Sequence, residues 1–177
     1  AEDGARALVV GDPVMPTARD ERGAPLAFAP LPGARREARA VASRYAASPL
    51  IGAAGSEAAV RRLLPRARVV HLATHGLAYG SDARAGESFV ALAPGGGDDG
   101  RLTVDELLGG AVAPLDADLV ALSACETALG RLRQSEGTLG LQRAFLARGA
   151  RRVLVSLWAV RDAPAERLMT RFHALWD

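Results

Sequence analysis

The sequence contains no lysine, a single cysteine and only 5% aromatic residues. One cysteine, Cys125, excludes an internal disulfide and cannot by itself form a thiolate metal site, which is typical of a reducing cytoplasm. No apolar run approaches the roughly 18 to 20 residues that cross a bilayer, and the N-terminus lacks the basic and apolar regions of a signal peptide. We therefore expect a cytoplasmic protein with no membrane partner.

The charge is nearly balanced and is carried on its basic side by arginine alone. Lysine and arginine total 22 against 20 acidic residues, a formal net charge of +2. Nucleic-acid binding favours a concentrated basic stripe or aromatic residues interleaved with cations. The arginines here are spread over several segments among acidic residues, so we expect no nucleic-acid partner.

The length and hydrophobic content predict one globular domain over residues 1–177. Of the 177 residues, 49% are hydrophobic. A chain of this size buries roughly 70% of the surface that it exposes when unfolded, so it needs no disulfide or metal to fold.

Strand-like and helix-like segments alternate along the chain. The apolar runs that predict strands are 6–10, 49–53, 68–73, 118–124 and 152–158. The segments with helical spacing or capping signals are 34–45, 56–65 with Ser56 as its cap, 137–148 and 164–176. A glycine and aspartate turn at 95–100 predicts a β-hairpin between 88–93 and 101–104, and Thr103 with Glu106 has the spacing of a capping box. This order predicts an α/β fold with a mostly parallel sheet, helices on both faces and an inserted β-hairpin.

Two reactive side chains follow predicted strands of this sheet. His75 comes after the strand 68–73, and Cys125 comes after the strand 118–124. The carboxyl ends of parallel strands lie at one edge of a sheet, where ligands bind in this class of fold. An imidazole near a thiol favours the thiolate and can later protonate a leaving group, which is the chemistry of cysteine peptidases.

The same two segments resemble those of a known family. The segments VHLATHG at 70–76 and LSACET at 122–127 closely resemble the CHAT peptidases, caspase-like bacterial proteases usually joined to tetratricopeptide repeats. The separation of about 50 residues between His75 and Cys125 is like that of caspases. Further matching segments are LPGARREA at 31–38, SEG at 135–137, RAF at 143–145 and SLW at 156–158 with Asp162.

The resemblance implies a caspase-like three-layer α/β/α sandwich and a catalytic Cys-His dyad. Cys125 is the implied nucleophile and His75 the implied general base and acid, and the backbone N–H groups of Gly76 and Cys125 form the implied oxyanion hole. Such enzymes need no third carboxylate and no cofactor. The implied substrate is a polypeptide cut at a limited number of sites and held as an added strand beside the sheet.

Four further residues are candidates for the substrate groove. Ser123 lies two residues before Cys125, where relatives that cut after basic residues often carry an acid nearby, so we expect no basic preference. Ser156, Trp158 and Asp162 follow the last predicted strand, where caspase-like folds form the groove. Taken alone, a buried Trp and a helix-capping Asp are more often structural.

The remaining histidines fit a structural interpretation better than a metal site. His71 and His75 are four residues apart, which in a strand places them roughly 13 Å from each other, too far to share one ion. We predict that His71 lies in the core, that His173 lies in the core or on the surface, and that the chain binds no metal.

Two functional classes remain open at this point. The first is a cysteine endopeptidase regulated by attached repeat or sensor domains, and the second is a catalytically silent interaction module with the same fold. CHAT domains usually continue past the helix that ends here near Trp176 with a further helix and an edge strand. The chain stops at Asp177, so we expect an open sheet edge or helix face, with homodimerisation or poor solubility as the result.

Overall fold

The computed structural model describes residues 7–123, 134–156 and 160–176. The strands are β1 (Ala7–Pro13), β2 (Ala18–Arg19), β3 (Pro25–Leu26), β4 (Leu50–Gly52), β5 (Val69–Ala73), β6 (Gly76–Leu77), β7 (Phe89–Ala91), β8 (Arg101–Thr103), β9 (Leu119–Leu122) and β10 (Val153–Val155). The α-helices are α1 (Pro32–Arg44), α2 (Glu57–Leu63), α3 (Val104–Leu108), α4 (Gln134–Ala147) and α5 (Asp162–Leu175). No described helix is both long and apolar enough to cross a membrane.

Five strands form a central sheet in the order β10-β9-β5-β1-β4, and every pair is parallel. The residues of β5 and β9 are buried throughout. Burial on both faces is typical of parallel sheets, because the connecting helices cover both sides. The predicted fold class, a helix-covered parallel sheet, is confirmed.

The alternation of side chains along the strands divides the core into two layers. On one face, Val70 and Leu72 belong to the large apolar cluster that includes Val60 of α2, Leu107 of α3 and Phe145 of α4. On the opposite face, α1 packs against β1 and β5, and α5 packs against α1. His71 lies between Val70 and Leu72 and therefore points to the layer formed by α1 and α5.

A second sheet, which is antiparallel, follows β5 in the chain. The strands β7 and β8 form the predicted hairpin, with Val90 opposite Leu102. The two-residue strand β6 adds to β7 directly after His75, with Gly76 opposite Val90. Two residues are too few for a periodic pattern, so β6 could not be predicted, although it connects the hairpin to the central sheet.

Both predicted helix caps are present. The Ser56 hydroxyl accepts a hydrogen bond from the backbone N–H of Ala59 at the start of α2. Thr103 and Glu106 form a reciprocal capping box at α3. A short antiparallel ribbon of β2 and β3 lies between β1 and α1.

Candidate functional site

His75 lies at the carboxyl end of β5, between that strand and β6, and is fully buried. The neighbouring strand β9 runs parallel to β5, with Leu72 opposite Leu122. Ser123, which follows β9, is also buried, with 7% of its surface exposed. The two strand ends thus leave the sheet at one edge, as the sequence predicts. Cys125 lies outside the described residues.

The imidazole of His75 is held by the segment that precedes α1. Its Nε2 atom lies 2.8 Å from the carbonyl oxygen of Ala29. A carbonyl oxygen only accepts, so Nε2 carries the hydrogen, and in the neutral ring Nδ1 is the basic nitrogen. The Phe28 ring packs on the imidazole with centroids 5.1 Å apart and a tilt of 31°, and it meets Phe89 edge-on at 6.5 Å.

The His75–Gly76 peptide is fixed by the second sheet. The backbone N–H of Ala91 donates to the carbonyl oxygen of His75 at 2.8 Å. In a planar trans peptide the C=O and the following N–H point in opposite directions. The N–H of Gly76 is therefore directed away from β7. The sequence-based assignment of this N–H to an oxyanion hole stays a prediction.

One of the predicted groove residues, Ser156, lies beside an apolar cavity. Ser156, directly after β10, is half-buried and lines a cavity of about 290 Å³. Its other walls are mainly apolar and include Leu122, Val160, Met169 and Phe172. Trp158 lies outside the described residues.

Asp162 begins α5, and its carboxylate contacts the start of α1. One oxygen accepts the N–H of Gly33 at 2.5 Å and the other accepts the N–H of Ala34 at 2.9 Å. The first N–H groups of a helix have no partner within the helix, and the helix dipole favours an anion there. A Cβ atom at Gly33 would lie 2.6 Å from the Asp162 carboxyl carbon. The carboxylate thus links α5 to α1.

A chain of buried polar side chains crosses the layer between α1, β5 and α5. The Glu37 carboxylate lies 2.8 Å from His71 Nε2, and His71 Nδ1 lies 3.1 Å from His173 Nε2. His173 Nδ1 in turn lies 2.9 Å from the Tyr45 hydroxyl. The prediction that His71 lies in the core is confirmed, and His173 is buried as well.

The protons of this chain can be placed consistently. With Glu37 ionised, His71 Nε2 donates to it, His173 Nε2 donates to His71 Nδ1, and the Tyr45 hydroxyl donates to His173 Nδ1. Burial lowers the pKa of His173 to about 3, and the positive charge of Arg44 lowers it further. His173 is therefore neutral at physiological pH. The sequence gives no signal for this network, since its members come from three distant segments.

Comparison with known proteins places these features in a family. The sequence matches the CHAT domain over residues 1–176. It is 31% identical to tetratricopeptide repeat protein 28 of Mus musculus over 196 aligned residues, which cover 95% of this chain and 8% of the mouse protein. It is 28% identical to tetratricopeptide repeat protein 28 of Homo sapiens over 205 residues, with the same coverage. The chain thus spans about 8% of the length of the curated relatives that it matches.

Proposed function

Because this chain belongs to the CHAT domain family, we propose that it is a cysteine endopeptidase in which Cys125 is the nucleophile and His75 the general base and acid. The observation that carries the proposal is the contact between His75 Nε2 and the Ala29 carbonyl oxygen at 2.8 Å. It selects the tautomer whose Nδ1 can accept the thiol proton. It also stabilises the imidazolium that forms when the thiolate is generated.

The first half of the reaction forms a thioester. His75 takes the proton of Cys125, and the thiolate sulfur forms a bond to the carbonyl carbon of the scissile peptide. The electron pair of the C=O bond moves to its oxygen, which the N–H groups of Gly76 and Cys125 stabilise. When this pair returns, the C–N bond breaks and the amine leaves with the proton held by His75.

The second half releases the other product. His75 takes a proton from water as the water oxygen bonds to the thioester carbon. Collapse of this intermediate breaks the C–S bond, and the proton returns from His75 to the sulfur of Cys125. The net reaction consumes one water molecule and yields an acid and an amine, so no cofactor is required.

The substrate is an extended polypeptide held beside the sheet. The strand β10 is an outer strand of the described central sheet, and an outer strand offers backbone groups for an added strand. We assign Ser123, Ser156 and Trp158 to the groove. The contacts of Asp162 with Gly33 and Ala34 favour a role in holding α1. Separately, we expect two copies of the chain to pair through an open sheet edge or an apolar helix face.

Attached repeats are the proposed regulators. The names of the mouse and human relatives specify tetratricopeptide repeats, and this chain matches only a small part of those proteins. We propose that repeats in the same polypeptide control access to the site, with residues 1–177 acting as the catalytic domain. The second candidate function is a catalytically silent interaction module with the same fold.

Peptide cleavage distinguishes the two functions. The chain is incubated with a mixture of unfolded synthetic peptides, and new termini are identified by mass spectrometry. The variants Cys125→Ala and His75→Ala serve as matched controls. The peptidase predicts cuts at a restricted set of positions that vanish in both variants. Identical peptide maps for all three proteins would support the silent module.

A further inference from the structure

We propose that Thr74 is a positioning residue that, through Ala91, sets the direction of the Gly76 N–H group. This inference rests on the proposed function, in which that N–H stabilises the oxyanion. Thr74 takes no part in the chemical steps of the proposed reaction. It acts by fixing the corner of the chain between β5 and β6.

The side chain of Thr74 makes a buried contact with the second sheet. Its hydroxyl donates to the carbonyl oxygen of Ala91 at 2.7 Å. Both residues are completely buried, so water does not compete for this bond. A buried carbonyl that lost its donor would keep an unsatisfied acceptor, which makes the bond persistent.

The next residue is held by the same partner. The N–H of Ala91 donates to the His75 carbonyl oxygen at 2.8 Å. Ala91 thus engages two successive residues, accepting from Thr74 through its C=O and donating to His75 through its N–H. These two bonds, together with the pairing of β6 with β7, define the rotation of the corner.

Peptide planarity carries this constraint to the oxyanion donor. The C=O of His75 and the N–H of Gly76 belong to one planar unit and point in opposite directions. Any rotation that weakens the bond between Ala91 and His75 therefore turns the Gly76 N–H by the same angle. Stabilisation of an oxyanion depends on donors aligned in advance with the oxygen.

Ala91 is held in place because β7 and the residues that follow it are hydrogen-bonded to other parts of the fold. Ala91 pairs with Arg101 of β8, and the N–H of Leu92 donates to Gly100 O at 2.8 Å. The N–H of Ala93 donates to Gly55 O at 2.9 Å, at the start of α2. Loss of the Thr74 hydroxyl is therefore expected to move the 74–76 corner while Ala91 stays in place.

The test compares Thr74→Val, which removes the hydroxyl and keeps the shape, with Thr74→Ser, which keeps the hydroxyl. Two reactions of the single thiol separate the effects. Alkylation by iodoacetamide requires the thiolate and forms no oxyanion. Acylation by p-nitrophenyl acetate forms a thioester through a tetrahedral oxyanion and expels p-nitrophenolate. The amide signal of Gly76 in a two-dimensional NMR spectrum reports the peptide itself.

We expect Thr74→Val to shift the Gly76 signal and to slow acylation about tenfold, less than the loss of a whole donor. The alkylation rate of Thr74→Val should stay within about twofold of the rate of the unaltered chain. Thr74→Ser should match the unaltered chain in all three measurements. If Thr74→Val does not fold, Thr74→Ala, which removes the hydroxyl without adding a methyl group, carries the same comparison.

Three results would overturn the inference: an unmoved Gly76 signal, a Thr74→Ser variant as slow as Thr74→Val, or equal slowing of acylation and alkylation. Failure of the proposed function has a different signature. In that case the alkylation rate of the unaltered chain follows the pH profile of an ordinary thiol, and Thr74 has no catalytic effect to support. The Gly76 signal still shows whether Thr74 determines the direction of the Gly76 N–H group.

Discussion

His75 Nε2 lies 2.8 Å from the carbonyl oxygen of Ala29, a residue 46 positions earlier in the chain. This contact links the segment before α1 to the end of β5. It determines which ring nitrogen carries the hydrogen in the neutral imidazole. Phe28, next to Ala29, covers the ring at 5.1 Å, so both orienting groups come from one short segment.

Removal of the Phe28 ring should loosen the imidazole. Phe28→Ala loses an aromatic contact of about 1 kcal/mol, which corresponds to roughly a fivefold slower alkylation of Cys125 at neutral pH. Phe28→Leu, which keeps most of the bulk, should lose less. The measurement is the alkylation rate by intact mass. Equal rates for Phe28→Ala and the unaltered chain would show that the Ala29 carbonyl orients His75 without help from the ring.

A methyl group at Gly33 should destabilise the fold. The Cβ would lie 2.6 Å from the Asp162 carboxyl carbon, and overpacking of this kind costs about 1–3 kcal/mol. The matched control is Gly140→Ala in α4, where the nearest atom that the new Cβ would meet is 3.8 Å away. That substitution should stabilise the chain by about 0.5–1 kcal/mol, because alanine favours helix. Urea denaturation measures both, and a destabilising Gly140→Ala with a neutral Gly33→Ala would contradict the packing described.

Asp162 should contribute through the same contact. Asp162→Ala removes both acceptors at the start of α1 and is expected to destabilise the chain by about 0.5–2 kcal/mol. The double variant Gly33→Ala/Asp162→Ala should be destabilised by less than the sum of the two single-variant destabilisations, because both substitutions disrupt one contact. Strict additivity would show that the two residues act independently.

Glu57 should make stability depend on pH. Its carboxyl is buried and accepts the N–H of Gly100 at 2.9 Å, while Oε1 lies 3.7 Å from Arg61. Burial, followed by the charges of Glu106, Asp98 and Asp99, raises its pKa from 4.5 to about 7. A raised pKa in the folded state means that this group's contribution is complete below about pH 4.5 and is lost as the pH rises to 7.

The variant Glu57→Gln isolates this effect. It should be more stable than the unaltered chain at pH 8, by up to about 3 kcal/mol for a pKa difference of this size. At pH 4.5 the two should have similar stability. Glu87→Gln, at an exposed carboxyl, is the control and should change little at either pH. A Glu57→Gln variant with the same stability difference at both pH values would show that Glu57 does not titrate as described.

Within the chain of buried polar side chains, replacing His71 should destabilise the fold more than replacing Glu37. His71→Leu leaves the Glu37 carboxylate buried without its partner at 2.8 Å, and losing one partner of such a pair costs about 3–5 kcal/mol. Glu37→Gln keeps an acceptor for His71 and should cost about 1 kcal/mol. Thermal unfolding compares them. A milder effect for His71→Leu than for Glu37→Gln would contradict the proton arrangement described.

The sequence predicted the fold through patterns of neighbouring residues. The apolar runs at β5 and β9 are buried on both faces, and such runs between helical segments indicate a parallel sheet whatever the details of packing. The glycine turn at 95–100 predicted the hairpin, and Ser56 and Thr103 marked helix starts because capping is a local interaction. These features depend on neighbouring residues and are therefore readable from one chain.

The contacts that orient the candidate site could not be read in this way. Every residue carries a carbonyl group, so the contact of Ala29 with His75 leaves no mark in the sequence. Asp162 and Gly33 are 129 residues apart, and their proximity depends on how α5 packs on α1. His173 looked equally suitable for the core or the surface, because a single histidine on an amphipathic helix does not show what faces it.

The alkylation of Cys125 by iodoacetamide as a function of pH tests the central claim most directly. Cys125 is the only cysteine, so each mass shift reports one thiol, and the same chain unfolded in urea provides the rate of a free thiol. We predict that folded Cys125 reacts rapidly well below the free thiol pKa of about 8.5 and that His75→Ala abolishes this advantage. If the folded chain and His75→Ala instead both followed the profile of an ordinary thiol, the assembled dyad would be contradicted.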